Sequence, residues 1–417
     1  MAYTDLTQIQ EKINTHKSNL AANLAAKSVN ANSSETLAVL IGKVKDIEQG
    51  GGGSGEGGLD WSQVTDMSYA FYYAPRMVAF LLPTLPSDIS YVTDWKSSFN
   101  TAITTADADN AFQNNKKKFD KLAHGMFRDC TKLKNIEWAN NLTACENNAS
   151  YCFYGCSIIP FAVILEALKR LDKTKSVHIG QIFYSASQSS TDKKGSIDVG
   201  DLELNVTNME QSFRGVNSIK SIGNITNIFN QAISIHMCFY GCTYMEEIGL
   251  ITTPAISSGS YNLFVSCSKL KKINGFSVPS QKYQGEIITS SSYRFISNSS
   301  LTALEECLNI PVGYFRYGGT NIGLAGSASA VKPLRRLTFC QADEGYYNKT
   351  YAKNLDIKYC SFARDGMLEV FNTLPDASDV TVTSTITITG NPCVNDGTLT
   401  EEDIAIATAK GYVVTTA

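Results

Sequence analysis

Histidine is scarce in this chain. Its 417 residues carry four, at positions 16, 124, 178 and 236, and none stands in a ligand-like cluster. Structural zinc sites use tight Cys and His spacings, so Cys152-x-x-x-Cys156 and Cys238-x-x-x-Cys242 read better as repeated core thiols. Charge is sparse too. Only 18% of residues are Asp, Glu, Lys or Arg, and the formal net charge is −3, which gives no basic footprint for nucleic acid. Lys116-Lys117-Lys118 is a lone basic cluster and reads as a solvated loop. The longest apolar run, Ile158 to Leu165, falls far short of the roughly 20 residues of a membrane helix, so no membrane insertion is expected.

Catalytic motifs are equally thin. The chain has no G-x-x-x-x-G-K-[ST], no H-E-x-x-H and no G-x-S-x-G. Gly318-Gly319-Thr320-Asn321-Ile322-Gly323 lacks the helix that a dinucleotide site needs and reads as a loop. Asp107 and Asp109 alternate as in a calcium loop, but the required Gly and the closing Glu are missing, so residues 105–110 read as a polar turn. The expectation is a protein that is not an enzyme and needs no cofactor or metal. Carboxylates are numerous enough to pair across a groove, which keeps a glycan-degrading enzyme as a minority reading.

What is present is a repeat. An aromatic is followed three residues later by a small residue and three residues after that by a leucine-like one. The phrase reads Phe127-x-x-Cys130-x-x-Leu133, Phe153-x-x-Cys156-x-x-Ile159, Phe239-x-x-Cys242-x-x-Met245 and Phe264-x-x-Cys267-x-x-Leu270. Phe71 and Phe213 open similar copies, and Phe99, Phe183 and Phe295 weaker ones. The nine phenylalanines lie 28, 28, 26, 30, 30, 26, 25 and 31 residues apart. Such a period predicts a solenoid, in which each unit is too small to bury its own apolar face and stacking closes the core. Apolar positions 126, 127, 130, 133 and 136 give the first part of the phrase helical spacing and a strand-like tail. The small slot suits buried cysteine. The cysteine count of eleven is odd, so at least one thiol is unpaired within the chain. Lys132, Lys134, Lys269, Lys271 and Lys272 near the strands read as solvated tips.

"MFRDCTKLKNI", "CFYGCTYMEEI" and "LFVSCSKLKKI" resemble BspA-like leucine-rich repeats, over roughly residues 62 to 300. Residues 59–110 and 157–208 depart from the pattern through insertions. The resemblance implies a right-handed solenoid with one short strand per coil and roles in adhesion. It carries no catalytic residues.

The flanks extend this reading. Residues 385–414 read strand, turn, helix, strand, with Thr400 and Asp403 as an approximate capping box and Gly411 as a helix stop. They resemble the "ITLTGNP…LTxxDxAIATAKGW" ending of repeat proteins from gut bacteria and their phages, with Tyr412 where that pattern has Trp. Residues 4–25 carry a stripe that includes Ile9, Ile13, Leu20 and Leu24. Residues 34–48 carry Leu37, Leu40, Ile41, Val44 and Ile47, with Ser34 placed as an N-cap. Two such helices are too small to stand alone. The segment "LAAKSVNANSSETLAVLIGKV" resembles those that join phage fibres to virions or to sister chains. Gln49 to Gly58 is a flexible linker by composition. Residues 160–171, 301–308 and 367–374 each predict a short helix, and residues 337–339 and 357–360 predict strands.

The expected fold is an α/β solenoid of BspA-like leucine-rich repeats, with an N-terminal helical segment and a C-terminal α/β cap. Its parts are a helical attachment or oligomerisation segment at 1–48, a Gly-rich linker at 49–58, the repeats at 59–300, and irregular repeats with the cap at 301–417. The expected function is a phage virion structural protein, a tail or head fibre subunit. Its partners would be other virion proteins through the N-terminus, sister chains in a homo-oligomer, and a host surface glycan or protein. Met-Ala-Tyr-Thr-Asp lacks a signal-peptide pattern, which favours synthesis in the host cytoplasm and residence in the virion. The alternative is an adhesin at a bacterial cell surface.

Overall fold

A computed structural model describes residues 2–26, 32, 34, 61, 64–136, 142–187, 192–256, 262–277, 301–311, 324–340 and 354–417. The second apolar stripe, the glycine linker, Phe295 and the loop at 318–323 lie outside the described residues. The chain divides into two compact units, residues 1–65 with 84–87, and residues 66–83 with 88–417.

In the first unit a helix spans Ala2–Ala26. Along it Leu24 and Ala21 are buried, Leu20 is half-buried and Ile13 is exposed. Ile9 lies on the same helix. Ser34 sits in a turn in which its N–H donates to Asn32 Oδ1 at 2.9 Å.

The second unit mixes helices with open parallel sheets. Its longest sheet runs in chain order through Ile197–Asp198, Ile219–Ile222, Glu247–Ile248, Lys272–Ile273, Glu306–Pro311 and Arg336–Cys340. A four-stranded sheet follows the same order through Leu202–Leu204, Ile225–Asn227, Ile251–Thr252 and Phe276–Ser277. Each strand therefore pairs with the equivalent strand about one repeat away, as in Glu247 against Lys272 and Ile251 against Phe276.

The repeated phenylalanines form one continuous ladder. Rings 71, 99, 127, 153, 183, 213, 239 and 264 lie 5.1, 5.4, 5.8, 6.2, 5.6, 5.6 and 5.6 Å apart in sequence. All eight are buried. Most neighbours are close to parallel, but Phe183 and Phe213 are tilted by 54°. There Phe161, from the helix Phe161–Lys169, meets both rings edge-on, at 5.4 and 6.4 Å. Pro160 precedes this helix at its N-cap.

The phrase around each ring is not helical, contrary to the spacing argument. The residues two before and two after each phenylalanine hold positive φ. Gly125 and Asp129 do so around Phe127, Tyr151 and Gly155 around Phe153, and Met237 and Gly241 around Phe239. The backbone thus alternates in hand. N–H groups at the ring and at the positive-φ positions donate to the next unit, as from Gly125 to Ser150, Phe127 to Cys152 and Asp129 to Tyr154. The N–H groups between them close turns three residues back, as from Met126 to Ala123, Arg128 to Gly125 and Cys130 to Phe127. The small slot has a second role beside its size. The thiol of Cys130 donates to the Phe99 carbonyl at 2.8 Å, Cys156 to Phe127 at 2.8 Å, Cys242 to Phe213 at 3.0 Å and Cys267 to Phe239 at 3.0 Å. All eleven cysteines are free thiols. Burial pushes Cys130 and Cys242 up to about 12, so they stay protonated donors.

Other expectations are corrected by the same geometry. Residues 301–308 are not a helix. Leu301, Leu304 and Cys307 are buried at three-residue steps, but Glu306–Pro311 is a strand paired to Lys272–Ile273. A three-residue step that feeds a strand is how each unit is built, and it imitates helical spacing. The strand expected at 357–360 ends earlier, at Leu355–Asp356, and a turn follows. The 105–110 turn is instead the start of the helix Ala106–Asn115, with the Thr105 hydroxyl accepting from the Ala108 N–H. Lys116–Lys118 continue that helix as a 3-10 turn, and Lys118 Nζ donates to the Leu82 carbonyl at 3.4 Å.

Three of the exposed lysine tips, Lys134, Lys271 and Lys272, also form ion pairs. Lys134 reaches the buried Asp109 at 3.0 Å. Lys271 meets Glu246 at 2.8 Å and Lys272 meets Glu247 at 3.4 Å. Arg335 meets Glu305 at 3.1 Å, and Arg336 meets Glu306 at 3.7 Å and Glu369 at 2.9 Å. Charge therefore alternates in sign over the last four rungs of the long sheet, at Glu247, Lys272, Glu306 and Arg336. Exposed pairs of this kind add little stability.

The C-terminal sheet pairs Leu355–Asp356, Ser384–Thr387 and Tyr412–Thr415 in parallel. The helices Arg364–Thr373 and Glu401–Ala409 lie in this part of the chain, and Thr400 with Asp403 forms a complete capping box.

Two substitutions test this architecture. Phe239→Ala empties a ladder position and should cost about 3–5 kcal/mol of unfolding free energy. A near-native urea midpoint would remove these rings from the core. Gly241→Ala places a Cβ with open space around it, its nearest contact being Gly215 Cα at 3.8 Å, on a backbone with φ +73°. The cost is then conformational, about 1–2 kcal/mol. Gly155→Ala should cost about as much, because the Asp129 carboxyl that its Cβ would meet ends a half-exposed side chain that can turn away. A cost several times larger at Gly155 would contradict this packing.

Candidate functional site

In each unit the phenylalanine points inward, and in all but one the residue after it stands at the surface. Those residues are Tyr72, Arg128, Tyr154, Tyr184, Arg214, Tyr240 and Val265, while Asn100 at the same place is buried. The stacking of units brings five of them into one column of planar groups. The Arg128 guanidinium lies 4.8 Å from the Tyr154 ring. Tyr154 stacks on Tyr184 at 4.7 Å and 11°. Arg214 lies between Tyr184 at 4.8 Å and Tyr240 at 4.6 Å. Each of the five is half-buried, because its faces are covered by neighbours while its edge meets solvent.

A second column, two residues before each phenylalanine, supports the first. Tyr151 lies 5.9 Å from Tyr154 and 5.5 Å from the Arg128 guanidinium, and its hydroxyl accepts from Gln181 Nε2 at 2.8 Å. Gln211 accepts from Arg214 Nη1 at 2.6 Å, and its own amide donates to Glu210 at 3.2 Å. Burial raises the Tyr154 phenol, Tyr184 adds to this, and the two arginines oppose it. At the first rung Tyr69, Tyr72 and Tyr73 cluster, with Tyr72 and Tyr73 4.4 Å apart and Tyr73 64% exposed. Burial and the neighbouring Tyr73 push Tyr72 up to about 12. Elsewhere Lys194 and Lys269 converge on the Tyr244 ring at 5.5 and 4.4 Å.

Chemically, the column can hold a ligand against a rigid edge of phenol and guanidinium groups. Aromatic side chains supply contact area with little rotamer entropy to lose. Burial holds Cys130 and Cys242, in the same units, as thiols.

Compared with family models, with curated proteins and with solved structures, the chain matches none of them. The column rests on this molecule alone.

The sequence-level candidates lie elsewhere. Ile9, Ile13, Leu20 and Leu24 are on the first helix, while Leu37, Leu40, Ile41, Val44 and Ile47 lie outside the described residues. The tyrosine and arginine column went unrecognised. Its signal was available, because the residue after each phenylalanine is Tyr or Arg in six of the eight described units. Among the described residues no helix is long and apolar enough to cross a membrane.

His178 gives a pH test of the stack. Five residues before their phenylalanines, Asn148, His178 and Asn208 each accept the N–H two residues on, His178 through Nδ1 from Gly180 at 3.2 Å. Burial lowers the His178 pKa below its usual value, partly offset by Glu210. Below about pH 6.5 the unfolded chain therefore takes up the proton first, and folding stability should fall until the folded imidazole is protonated too. His178→Asn keeps the acceptor and should flatten this loss in urea midpoints measured from pH 7.5 to 5. An unchanged slope would show that His178 does not titrate with folding.

Proposed function

We propose that this chain is a structural protein of a phage virion, a tail or head fibre subunit, built as a solenoid of BspA-like leucine-rich repeats. The observation that carries the reading is the register of the units. The ring, the thiol and the strand recur at equivalent places, so the side chains after five successive phenylalanines, from Phe127 to Phe239, form a column on the outside. Such a scaffold suits recognition of an extended surface. The apolar stripe on the first helix suits attachment, because Ile13 remains exposed on it. On this reading residues 1–48 join the fibre to the virion or to sister chains, and the tyrosine and arginine column meets the host surface.

The reading is tested in virions. Mass spectrometry of purified particles should find the chain at stoichiometric copy number, and a chain starting at residue 59 should fold but fail to enter particles. Normal incorporation of that truncation would overturn the attachment role. Display on a bacterial surface with none in particles would instead favour the adhesin.

A further inference from the structure

The column holds two arginines in different states. Arg128 Nε lies 3.4 Å from Asp129 Oδ2, so an acid of its own unit already engages it. Arg214 has no carboxylate partner among the described residues. Its guanidinium is held between Tyr184 and Tyr240, and Nη1 is spent on Gln211 and on the Met237 sulfur at 3.5 Å. Glu210 fixes the Gln211 amide in turn. Among the described residues Nε and Nη2 have no acceptor. A guanidinium presents these donors as a planar fork that matches a carboxylate with two parallel hydrogen bonds. Here the fork is oriented before any ligand arrives, so little side-chain freedom is left to lose on binding.

We propose that Arg214 is the specificity-determining residue of a subsite for an acidic glycan, and that it receives a uronate carboxylate on its free Nε and Nη2 edge. The flanking phenol edges of Tyr184 and Tyr240 meet the hydroxyl groups on either side. Neighbouring rungs lie about 4.8 Å apart, so an extended chain can run along the column and touch several of them. This assignment rests on the recognition role proposed for the column.

The full chain, labelled with 15N-arginine, provides the test. Loss of one Nε–Hε resonance in Arg214→Lys assigns the Arg214 signal, and loss of another in Arg128→Lys assigns Arg128. Glucuronate, titrated at constant ionic strength, should shift the Arg214 resonance saturably and leave Arg128 in place. Glucose should shift neither. Polygalacturonate should bind more tightly than glucuronate through contacts along the column, and Arg214→Lys should weaken it about tenfold, as expected for losing one charge-assisted bidentate contact. The urea midpoint of Arg214→Lys should stay near that of the parent, which separates lost binding from lost folding. A silent Arg214 resonance, or one that responds only to inorganic phosphate, overturns the uronate assignment. Virion detection is independent of this titration. A chain found in particles with a silent Arg214 sinks this inference alone, and a titrating Arg214 in a chain absent from particles sinks the virion reading alone.

Discussion

The repeating part of this molecule depends on one backbone constraint. Around each phenylalanine the chain alternates between right- and left-handed conformations, so successive N–H groups point alternately back into their own turn and across to the next unit. A single unit leaves half of these donors unsatisfied, and a buried unpaired N–H is costly. Stacking supplies their acceptors. The other regularities follow from this. Positive φ recurs two residues either side of every ring, met by glycine at Gly125, Gly155, Gly215 and Gly241 and by other residues elsewhere, Thr101 among them. The carbonyl of the ring residue accepts a turn N–H from its own unit, and in four cases a thiol from the unit that follows. Cysteine in the small slot is thus a hydrogen-bonding residue that also fits.

This explains what could be read in the sequence and what could not. The phenylalanine and cysteine positions were legible because both are inward and recur at fixed separation. The helix Phe161–Lys169 and the Thr400–Asp403 capping box were legible because they are local. The helix expected at 301–308 failed because Leu301, Leu304 and Cys307 keep the three-residue step of a turn run, which one period cannot tell from a helix. The lysines are exposed as their sequence suggests, but their ion pairs were illegible for a different reason. Lys271 and Glu246 are 25 residues apart, and their contact exists only once the register of the units is fixed. The tyrosine and arginine column is hidden in the same way. Each unit contributes one residue, and the column exists only between units.

The C-terminal part ties its helices together with fewer, more directional contacts. Arg364 grips Asp403 through Nε and Nη2, both at 2.8 Å. That pairing, with the capping N–H of Thr400, holds the Asp403 carboxyl down at about 2. One carboxylate thereby starts the helix Glu401–Ala409 and anchors the helix Arg364–Thr373 to it. Lys410 completes the arrangement from the other end. Its ammonium donates to the carbonyls of Phe371, Asn372 and Leu374 at 3.0, 2.7 and 2.9 Å, where the helix leaves its last acceptors open. Gly411 then turns the chain with φ +82°, where a Cβ would meet the backbone of Ala377 at 2.6 Å.

The separation of roles across each unit has a consequence for recognition. The ring, the small slot and the strand face inward and carry the packing. The residue after the ring faces outward, and its backbone bonds are made whatever its side chain is. Tyr and Arg both occupy that place without changing the turn around them, as at Tyr154 and Arg214. A column of this kind can therefore change its chemistry rung by rung while the scaffold stays constant. The converse limit is equally physical. Because neighbouring rings and guanidinium groups cover one another's faces, each member depends on the rungs above and below it for its orientation. Replacing Tyr184 would remove support from both Tyr154 and Arg214 at once. Specificity in such a column resides in short runs of adjacent rungs, and substitutions within a run are expected to be non-additive.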